Sequence, residues 1–385
     1  MRVLLVNKFV RVTGGADRHC LELARALRAA GHEVAFLSTA DRDRGERDGI
    51  FVPAAVTAER RAELGPRAAA HAAAWAMWNP TAAAATRRLL TGFRPDVVHV
   101  HKLYPQLSVA PVVVSARRGV PVVQTVHDYE LAGRDPYDDG SALRPSPARP
   151  LADRTLSAAL RPVHRRWHRP AVRAWVAASQ HVADVHARLG IHATVLPLPT
   201  SAPPGRDPAW PQRSGIVYVG RIAAEKGVLD LVDLARRVPE IRVAAVGGGP
   251  LEPVLRRSAG GVRNLELTGP VSPDEVWRRL RAARVAVLPS RWAEPAGLAA
   301  LEAMAVGTPV VAHAVGGLAE EVRGAEGGVL VPADPASLAE ACRALHADEA
   351  RWRRLSAAGR RHVVCEHDPG RYAERMVAVY AAAGA

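Results

Sequence analysis

Short apolar runs alternate with amphipathic helical stretches along almost the whole chain, and this alternation constrains the fold more than any other feature. Runs that are apolar throughout are typical of strands buried on both faces of a parallel sheet, with helices covering it. In the first half the pattern predicts strands at residues 3–7, 32–39, 97–102, 121–127, 174–179 and 194–199. It also predicts helices at 17–30, from 80 to about 92, and at 105–117. The predicted fold class is therefore α/β.

The alternation stops at residues 197–215, which hold six prolines and show no periodicity, and then restarts. The second set of strands is predicted at 216–221, 242–247, 264–268, 285–290, 310–314 and 328–331, with a helix from Lys226. We therefore predict two doubly wound, Rossmann-like domains, residues 1–200 and 216–368, joined by a linker at 201–215. Because ligands of open parallel sheets lie beyond the carboxyl ends of the strands, we expect a central cleft between the domains.

Composition excludes several classes of protein. The chain has 385 residues and a net charge of +14, and its three cysteines are too few and too scattered for a disulfide framework or a zinc motif. The start of the chain, MRVLLVNKF, predicts a buried strand and not a signal peptide, so a cytoplasmic location is expected. With 5% aromatic residues and no nucleic-acid-binding motif, nucleic acid is not an expected partner.

The densest cluster of positive charge lies on a helical stretch that Pro170 interrupts. Such a cluster is usually exposed helix surface, but it could also contact an anionic membrane at its inner face. Its members are Arg161, His164, Arg165, Arg166, His168, Arg169 and Arg173.

Two groups of residues in the first half follow predicted strands. Gly14 and Gly15 stand between the first strand and the first helix, where glycine allows an anion close to free helix amides. A simple tight turn explains the pair equally well. His127 and Asp128 close the strand that begins at Pro121, where an imidazole could orient a sugar hydroxyl or bond a backbone carbonyl in a purely structural role.

The second half carries cations and glycines in the same kind of position. Arg221 ends its first strand and Lys226 follows five residues later, so the two could neutralise a diphosphate, although surface charge is the alternative. Gly247, Gly248 and Gly249 follow another strand and could hold phosphate or only turn the chain.

The most informative block is SRWAEPAGLAALEA, residues 290–303. Pro295 and Gly297 suit a helix start, so the amides of Gly297, Leu298 and Ala299 would point at an anion. Glu302 lies about a turn and a half into that helix, where its carboxylate could accept bonds from ribose hydroxyls. Glu294, in the preceding loop, could accept from sugar hydroxyls or serve only as a partner of the helix dipole.

These segments together resemble the family-4 glycosyltransferases (glycosyl transferases group 1), which are retaining, nucleotide-sugar-dependent enzymes of the GT-B fold. The resemblance rests on TGGADRH, PDVVHVHKLYPQLS, TVHDYEL, VGRIAAEKG, VGGGP and PSRWAEPAGLAALEAMAVGTPVVAHAVGG, which occur in the family's order over nearly the whole chain.

The resemblance implies a role for each matching residue. It assigns Gly15 to the donor diphosphate, His127 to the transferred sugar, and Arg221 with Lys226 to the leaving group. It assigns Glu294 to sugar hydroxyls, residues 297–299 to phosphate or sugar, and Glu302 to the ribose. The helix at about 369–382, within residues 369–385, would pack back on the first domain.

Two positions depart from the family pattern and leave the donor sugar open. Ala296 stands where an aromatic residue is common, and Asp17 stands where glutamate is frequent. The resemblance also implies that charge from Arg221 and Lys226, and not a metal or other cofactor, activates the donor. No nucleophilic carboxylate is evident, which favours same-face attack by the acceptor.

The donor would be a UDP- or GDP-linked sugar, and the acceptor a hydroxyl of a glycan, a lipid-linked glycan or a small metabolite. The composition of residues 130–150 indicates a loop that could serve as a lid, contact the acceptor or be a plain surface loop. Alternative functions are a nucleotide-sugar epimerase of similar shape and a non-catalytic, membrane-associated protein that binds nucleotide sugars.

Overall fold

The structure is a computed structural model that describes residues 1–40, 49–53, 66–129, 131 and 160–385, without the side chains of 66–71. Apart from Leu131, the predicted loop at 130–150 lies outside the described residues. The described residues form two compact units. The first unit comprises described residues up to Pro199 together with Pro369–Ala385, and the second unit comprises Thr200–Asp368. Among the described residues, no helix combines the length and the apolar character needed to cross a membrane.

The first unit contains a parallel seven-stranded sheet in the order β3-β2-β1-β4-β5-β6-β7. Its strands are β1 (Arg2–Val6), β2 (Glu33–Thr39), β3 (Gly49–Val52), β4 (Val97–Val100), β5 (Val122–Val126), β6 (Ala174–Ala177) and β7 (Ala193–Val195). Its helices are α1 (Gly15–Ala29), α2 (Pro66–Met77), α3 (Pro80–Gly92), α4 (Ala110–Arg117), α5 (Gln180–Ala187) and, from the end of the chain, α13 (Pro369–Ala382).

Helix α13 completes the apolar core of the first unit. Tyr372, Met376 and Tyr380 are fully or almost fully buried in one cluster with residues of β1, β2 and α1. The hydroxyl of Tyr372 lies 2.8 Å from Nε2 of His19, and that of Tyr380 lies 2.7 Å from Nδ1 of His99. The end of the chain thus covers both apolar and polar groups of the first sheet.

The second unit contains a parallel six-stranded sheet in the order β10-β9-β8-β11-β12-β13. Its strands are β8 (Ile216–Val219), β9 (Val243–Val246), β10 (Leu265–Gly269), β11 (Val285–Leu288), β12 (Val310–His313) and β13 (Gly328–Val331). Its helices are α6 (Asp230–Arg237), α7 (Glu252–Ser258), α8 (Pro273–Ala282), α9 (Leu298–Ala305), α10 (Gly316–Ala325), α11 (Pro335–Ala347) and α12 (Glu349–Glu366).

The proline-rich segment that the sequence suggests as a linker packs on the second unit. Trp210 belongs to the core of that unit, with its ring centroid 5.5 Å from that of Trp352. The Arg213 side chain is buried and donates to Oγ1 of Thr308 at 2.6 Å and to the carbonyl of Val306 at 2.7 Å. Periodicity cannot reveal such packing, because individual side chains anchor the segment, whose regular structure is a short 3₁₀ helix at Trp210–Gln212.

Three predicted helices differ from the observed ones. Helix α4 begins at Ala110 and not at Pro105, because residues 104–107 form a turn. The chain at Lys226 is a 3₁₀ turn (Ala224–Lys226) ended by Gly227 at φ +64°, and α6 follows only at Asp230. The basic stretch is a π-helical turn, His164–His168, followed by a 3₁₀ turn, Arg169–Ala171.

Candidate functional site

The predicted donor-binding residues of the second unit follow two neighbouring strands, β8 and β11. The strand order reverses between these two strands, and such a switch point is where open parallel sheets bind ligands. Arg221 and Lys226 lie in the connection that follows β8. Glu294 lies in the loop after β11, and Leu298, Ala299 and Glu302 lie in α9, the helix that this loop enters.

Lys226 and Glu294 are in direct contact. The Lys226 Nζ lies 2.8 Å from Oε1 of Glu294, and the hydroxyl of Ser290 donates to the same oxygen. The Lys226 ammonium also lies 5.5 Å from the centroid of the Trp292 ring, within cation–π distance. Glu294 is 9% exposed, so the carboxylate is held in a fixed position by two donors.

Arg221 is placed on the same connection but pairs with a different carboxylate. Its guanidinium forms an ion pair with Glu225, while its side chain stays about half exposed. The Tyr218 hydroxyl donates to the Arg221 carbonyl at 2.8 Å. Burial, with Glu294 and Glu225 nearby, raises the pKa of Tyr218 well above its ordinary value. In the connection after β8, the Tyr218 hydroxyl therefore holds the backbone of Arg221, while the guanidinium of Arg221 remains about half exposed.

The start of α9 is shaped by close backbone packing. Gly297 has φ +65° and provides no side-chain cap for the helix, so no cap side chain occupies the amides at its first turn. A Cβ at Gly297 would lie 2.9 Å from Leu318, and one at Gly316 would lie 2.6 Å from the backbone of Ala293. The amide of Gly317 donates to the Glu294 carbonyl at 2.7 Å. The N-terminus of α10 thus supports the loop that carries Glu294.

The glycines of the VGGGP segment allow the connection after β9 to pack closely against the connection after β8. A Cβ at Gly247 would lie 2.0 Å from the Gly220 carbonyl oxygen, and one at Gly249 would lie 2.4 Å from that of Ile222. These contacts explain both glycines without a ligand.

The sequence did not predict an ion pair that links two elements of this region. The Arg291 guanidinium binds Asp230 in a bidentate manner, at 2.9 Å and 2.6 Å, and so links the loop after β11 to the first turn of α6. The Arg291 amide donates to the Glu225 carbonyl at 2.9 Å. Nothing in the sequence indicates that these two residues, 61 positions apart, form a pair. The one available signal is that Arg291 lies in the same block as Glu294.

In the first unit, Asp17 organises the loop between β1 and α1. Its buried carboxylate accepts from Nδ2 of Asn7 at 2.8 Å, from the Thr13 amide at 3.2 Å and from the Thr13 hydroxyl. Gly14 is the N-cap of α1 in an extended conformation, and a Cβ there would meet nothing within 4 Å. Asp17 therefore has a structural role at the position where the family often has glutamate.

His127 belongs to a cluster of four histidines at the carboxyl ends of β4 and β5 and on α1. Its Nε2 lies 2.9 Å from Nδ1 of His101, and Nε2 of His99 lies 2.8 Å from the Thr125 hydroxyl. Burial lowers the pKa of His19 and of His99 to about 3 and holds the pKa values of His101 and His127 well below the usual range. His127 is thus a neutral imidazole near pH 7.

The carboxylate of Asp128, which follows His127 in the chain, forms an ion pair with Lys102. His127, Asp128 and Lys102 line one small cavity together with Tyr104.

Within the described ranges, two groups of side chains bring three potential metal ligands within 4.8 Å of one another. One is His19, His101 and His127 in the first unit. The other is Glu321, His362 and His367 in the second unit.

Comparison with known proteins identifies the class. Residues 13–200 match the family model "Glycosyltransferase Family 4", and residues 213–348 match "Glycosyl transferases group 1". Glycogen synthase of Mycobacterium tuberculosis is 32% identical over 420 aligned residues, which cover all of this chain and 95% of that enzyme. The 2-deoxystreptamine N-acetyl-D-glucosaminyltransferase of Streptomyces fradiae is 32% identical and covers 90% of this chain and 85% of that enzyme. The crystal structure of Anabaena HepE in complex with UDP-glucose has a TM-score of 0.67 at 16% identity, covering 99% of this chain and all of that one.

The chain therefore belongs to the family-4 glycosyltransferases. It is a retaining glycosyltransferase that uses a nucleotide-sugar donor, and its two parallel α/β sheets form the GT-B fold. The family, fold class and type of reaction predicted from the sequence are confirmed.

Proposed function

We propose that this enzyme transfers a hexosyl group from a UDP-linked sugar to a hydroxyl acceptor, and that the second unit holds the donor. The contact of Lys226 with Glu294 beside the N-terminus of α9 carries this proposal, because it combines a cation, a carboxylate and helix amides at the switch point of one sheet. The UDP-glucose bound to Anabaena HepE favours a uridine donor over a GDP-linked one.

Each group has one role in the proposed donor complex. Lys226 and Arg221 neutralise the diphosphate, and the amides of Leu298 and Ala299 bind its oxygens or the sugar. Glu294 accepts hydrogen bonds from sugar hydroxyls, and Glu302 accepts from the ribose. Lys226 already pairs with Glu294, so donor binding exchanges part of that ion pair for bonds to phosphate.

The proposed reaction needs stabilisation of negative charge on the leaving group. The bond between the anomeric carbon and the phosphate oxygen breaks, and its electron pair goes to the diphosphate, which Arg221 and Lys226 stabilise. The acceptor oxygen forms the new bond on the same face of an oxocarbenium-like sugar, and its proton passes to the leaving phosphate oxygen. The configuration of the donor is thereby retained. These steps assign no task to a metal ion.

The first unit contributes Gly14, Gly15 and His127 to the proposal. A neutral His127, bonded through Nε2 to His101, is suited to hydrogen bonding with a sugar hydroxyl, whereas an imidazolium would repel an oxocarbenium-like sugar. Gly14 and Gly15 at the start of α1 supply backbone that a diphosphate can approach.

Turnover of UDP-glucose and UDP-N-acetylglucosamine by purified variants tests these assignments. We expect Lys226→Met and the double variant Arg221→Ala, Lys226→Ala to lose at least about 100-fold in kcat, the scale of losing one preorganised charge partner, while remaining folded. Glu340→Gln, which removes an exposed carboxylate on α11, is the matched control and keeps full activity. Wild-type turnover by the double variant would overturn the phosphate assignment.

The products also separate the alternative functions. A transferase yields nucleoside diphosphate and, with an α-configured donor, an α-configured product detectable by NMR. An epimerase would release an epimerised sugar without needing an acceptor, and a non-catalytic protein would bind the donor and release nothing.

The surface of the π-helical turn at His164–His168 supports the proposed contact with an anionic membrane. Trp167 is 49% exposed and follows two exposed arginines, Arg165 and Arg166, while His164 and His168 are buried. An exposed indole beside arginines is suited to the interface of an acidic bilayer. This contact would bring the enzyme to a lipid-linked acceptor.

A further inference from the structure

The strongest feature outside the proposed donor site is a group of three side chains in the second unit. Glu321 lies on α10, His362 lies on α12, and His367 is the residue that ends α12. None of the three has a role in the glycosyl-transfer reaction described above. Their side chains are 9%, 21% and 0% exposed, respectively, so only His362 reaches solvent to any extent.

Three potential ligand atoms converge at this point. Nε2 of His367 lies 3.1 Å from Oε2 of Glu321 and 3.2 Å from Nε2 of His362, and Nε2 of His362 lies 3.6 Å from the same Oε2. Tetrahedral zinc with ligands at about 2.0–2.1 Å places neighbouring ligand atoms about 3.3 Å apart. The triangle of nitrogen, nitrogen and oxygen therefore has the size that one such ion requires.

Hydrogen bonds among the three side chains do not satisfy all of their polar atoms. Two imidazole nitrogens face one another, so one of them must present a lone pair, and Oε2 of Glu321 is buried without a hydrogen bond of acceptable geometry. A divalent cation would accept lone pairs from all three atoms at once.

The surrounding backbone fixes the ligands. The His367 amide donates to the Val363 carbonyl at 3.0 Å, and the His367 carbonyl accepts from the Thr200 amide at 2.9 Å. A Cβ at Gly324 would lie 3.8 Å from Cε1 of His362, so α10 passes close beside that ring. Two histidines and one carboxylate are a ligand set suited to Zn²⁺, whose four-coordinate shell water can complete.

We propose that Glu321, His362 and His367 bind one Zn²⁺ ion, with water as the fourth ligand, and that this ion clamps α10 to the end of α12. The site is separate from the proposed catalytic groups, so its role is structural. Because α10 also supports the Glu294 loop through the Gly317 amide, the ion stabilises the unit that we propose to hold the donor.

Metal binding to the 385-residue chain, without a histidine tag, tests the proposal. Zn²⁺ is titrated by calorimetry, and Co²⁺ is used as a spectroscopic probe whose visible bands report tetrahedral nitrogen and oxygen ligation. We expect one equivalent of either ion to bind and the thermal midpoint to rise on addition of Zn²⁺, as for any ligand of the native state.

Variants locate the ion. His362→Gln and Glu321→Gln should each weaken Zn²⁺ binding at least about 100-fold and abolish the tetrahedral cobalt spectrum. His192→Gln, which removes an exposed histidine of the first unit, should leave both unchanged. If His362→Gln does not fold, Glu321→Gln decides alone. The proposal is overturned if the wild type binds no Zn²⁺. It is also overturned if the variants still bind one equivalent of Zn²⁺ with wild-type affinity, as expected for a site at His19, His101 and His127.

Discussion

At the scale of single residues, the candidate site depends on carboxylates that are buried yet able to accept hydrogen bonds. Glu294 is held by Lys226 and Ser290, and Glu302 lies 7% exposed on the second turn of α9. Burying a carboxylate costs free energy unless donors satisfy it, so such positions are typically kept for a ligand or a structural bond. The two glutamates therefore concentrate acceptor capacity at one end of one helix.

Replacing Glu302 by glutamine should weaken donor binding. The variant keeps the shape of the side chain but loses its charge. The weaker hydrogen bonds to the ribose should cost about 1.4 kcal/mol of binding free energy, which raises the Kd for UDP-glucose about tenfold. Calorimetric titration measures the change. Glu340→Gln, on an exposed face, should bind as the wild type does, and an unchanged Kd for Glu302→Gln would contradict the ribose assignment.

The sequence predicted the residues whose type and position both indicate chemistry. Lys226 and Glu294 lie in the connections that follow two strands, and Glu302 lies on the second turn of α9, so their placement follows from the order of elements. Ser290 and the Arg291–Asp230 pair could not be predicted, since their roles depend on contacts across the sheet. Likewise the ion pair between Lys102 and Asp128 could not be predicted from the sequence.

At the scale of elements, helix α13 supplies polar partners as well as apolar area to the first unit. Tyr380 is the buried partner of His99 Nδ1. Tyr380→Phe retains the ring and leaves that nitrogen without its partner, which should lower the free energy of unfolding by about 1–3 kcal/mol. Urea denaturation measures the loss, and Glu374→Gln on the exposed face of α13 is the control. Equal stability of Tyr380→Phe and the wild type would show that the bond contributes nothing.

The basic π-helical turn should govern binding to acidic membranes. Each arginine near an anionic surface contributes about 1 kcal/mol, so Arg165→Gln, Arg166→Gln should bind phosphatidylserine-containing vesicles at least about tenfold more weakly than the wild type. Trp167→Ser should weaken binding as well. Arg188→Gln, an exposed arginine elsewhere in the first unit, is the control in the sedimentation assay. Equal binding of the wild type to neutral and acidic vesicles would argue against a membrane contact.

Element boundaries were the least predictable part of the fold. Buried strands were found close to their predicted positions because an apolar run has few other uses. The start of α4, the 3₁₀ turn at Lys226 and the π-helical turn at His164–His168 depend on local backbone geometry and packing that periodicity does not record.

At the scale of the whole molecule, the buried histidines predict how stability depends on pH. Burial lowers the pKa of His19 and of His99 to about 3 and holds those of His101 and His127 well below the usual range. The unfolded chain takes up these protons below about pH 6.5, and the native state does not. The contribution of the cluster is complete above about pH 6.5 and is lost as the pH falls below it.

Each of these histidines should cost up to about 1.4 kcal/mol of unfolding free energy per pH unit in that range. Urea midpoints measured between about pH 7.5 and about pH 5.5 should therefore fall steeply. His101→Gln should reduce the slope by about one proton, and His192→Gln should leave it unchanged. A midpoint that stays level or rises on acidification would contradict burial of the cluster in neutral form.

The central claim is that Lys226, Glu294 and the start of α9 bind the diphosphate sugar of the donor. A thermal-shift panel of UDP-, GDP-, ADP- and dTDP-linked hexoses tests it most directly, because a ligand of the native state raises the midpoint by mass action. We predict that a UDP-linked hexose stabilises the wild type and Glu340→Gln but not Lys226→Met. Stabilisation of Lys226→Met equal to that of the wild type, or no shift by any nucleotide sugar, would contradict the claim.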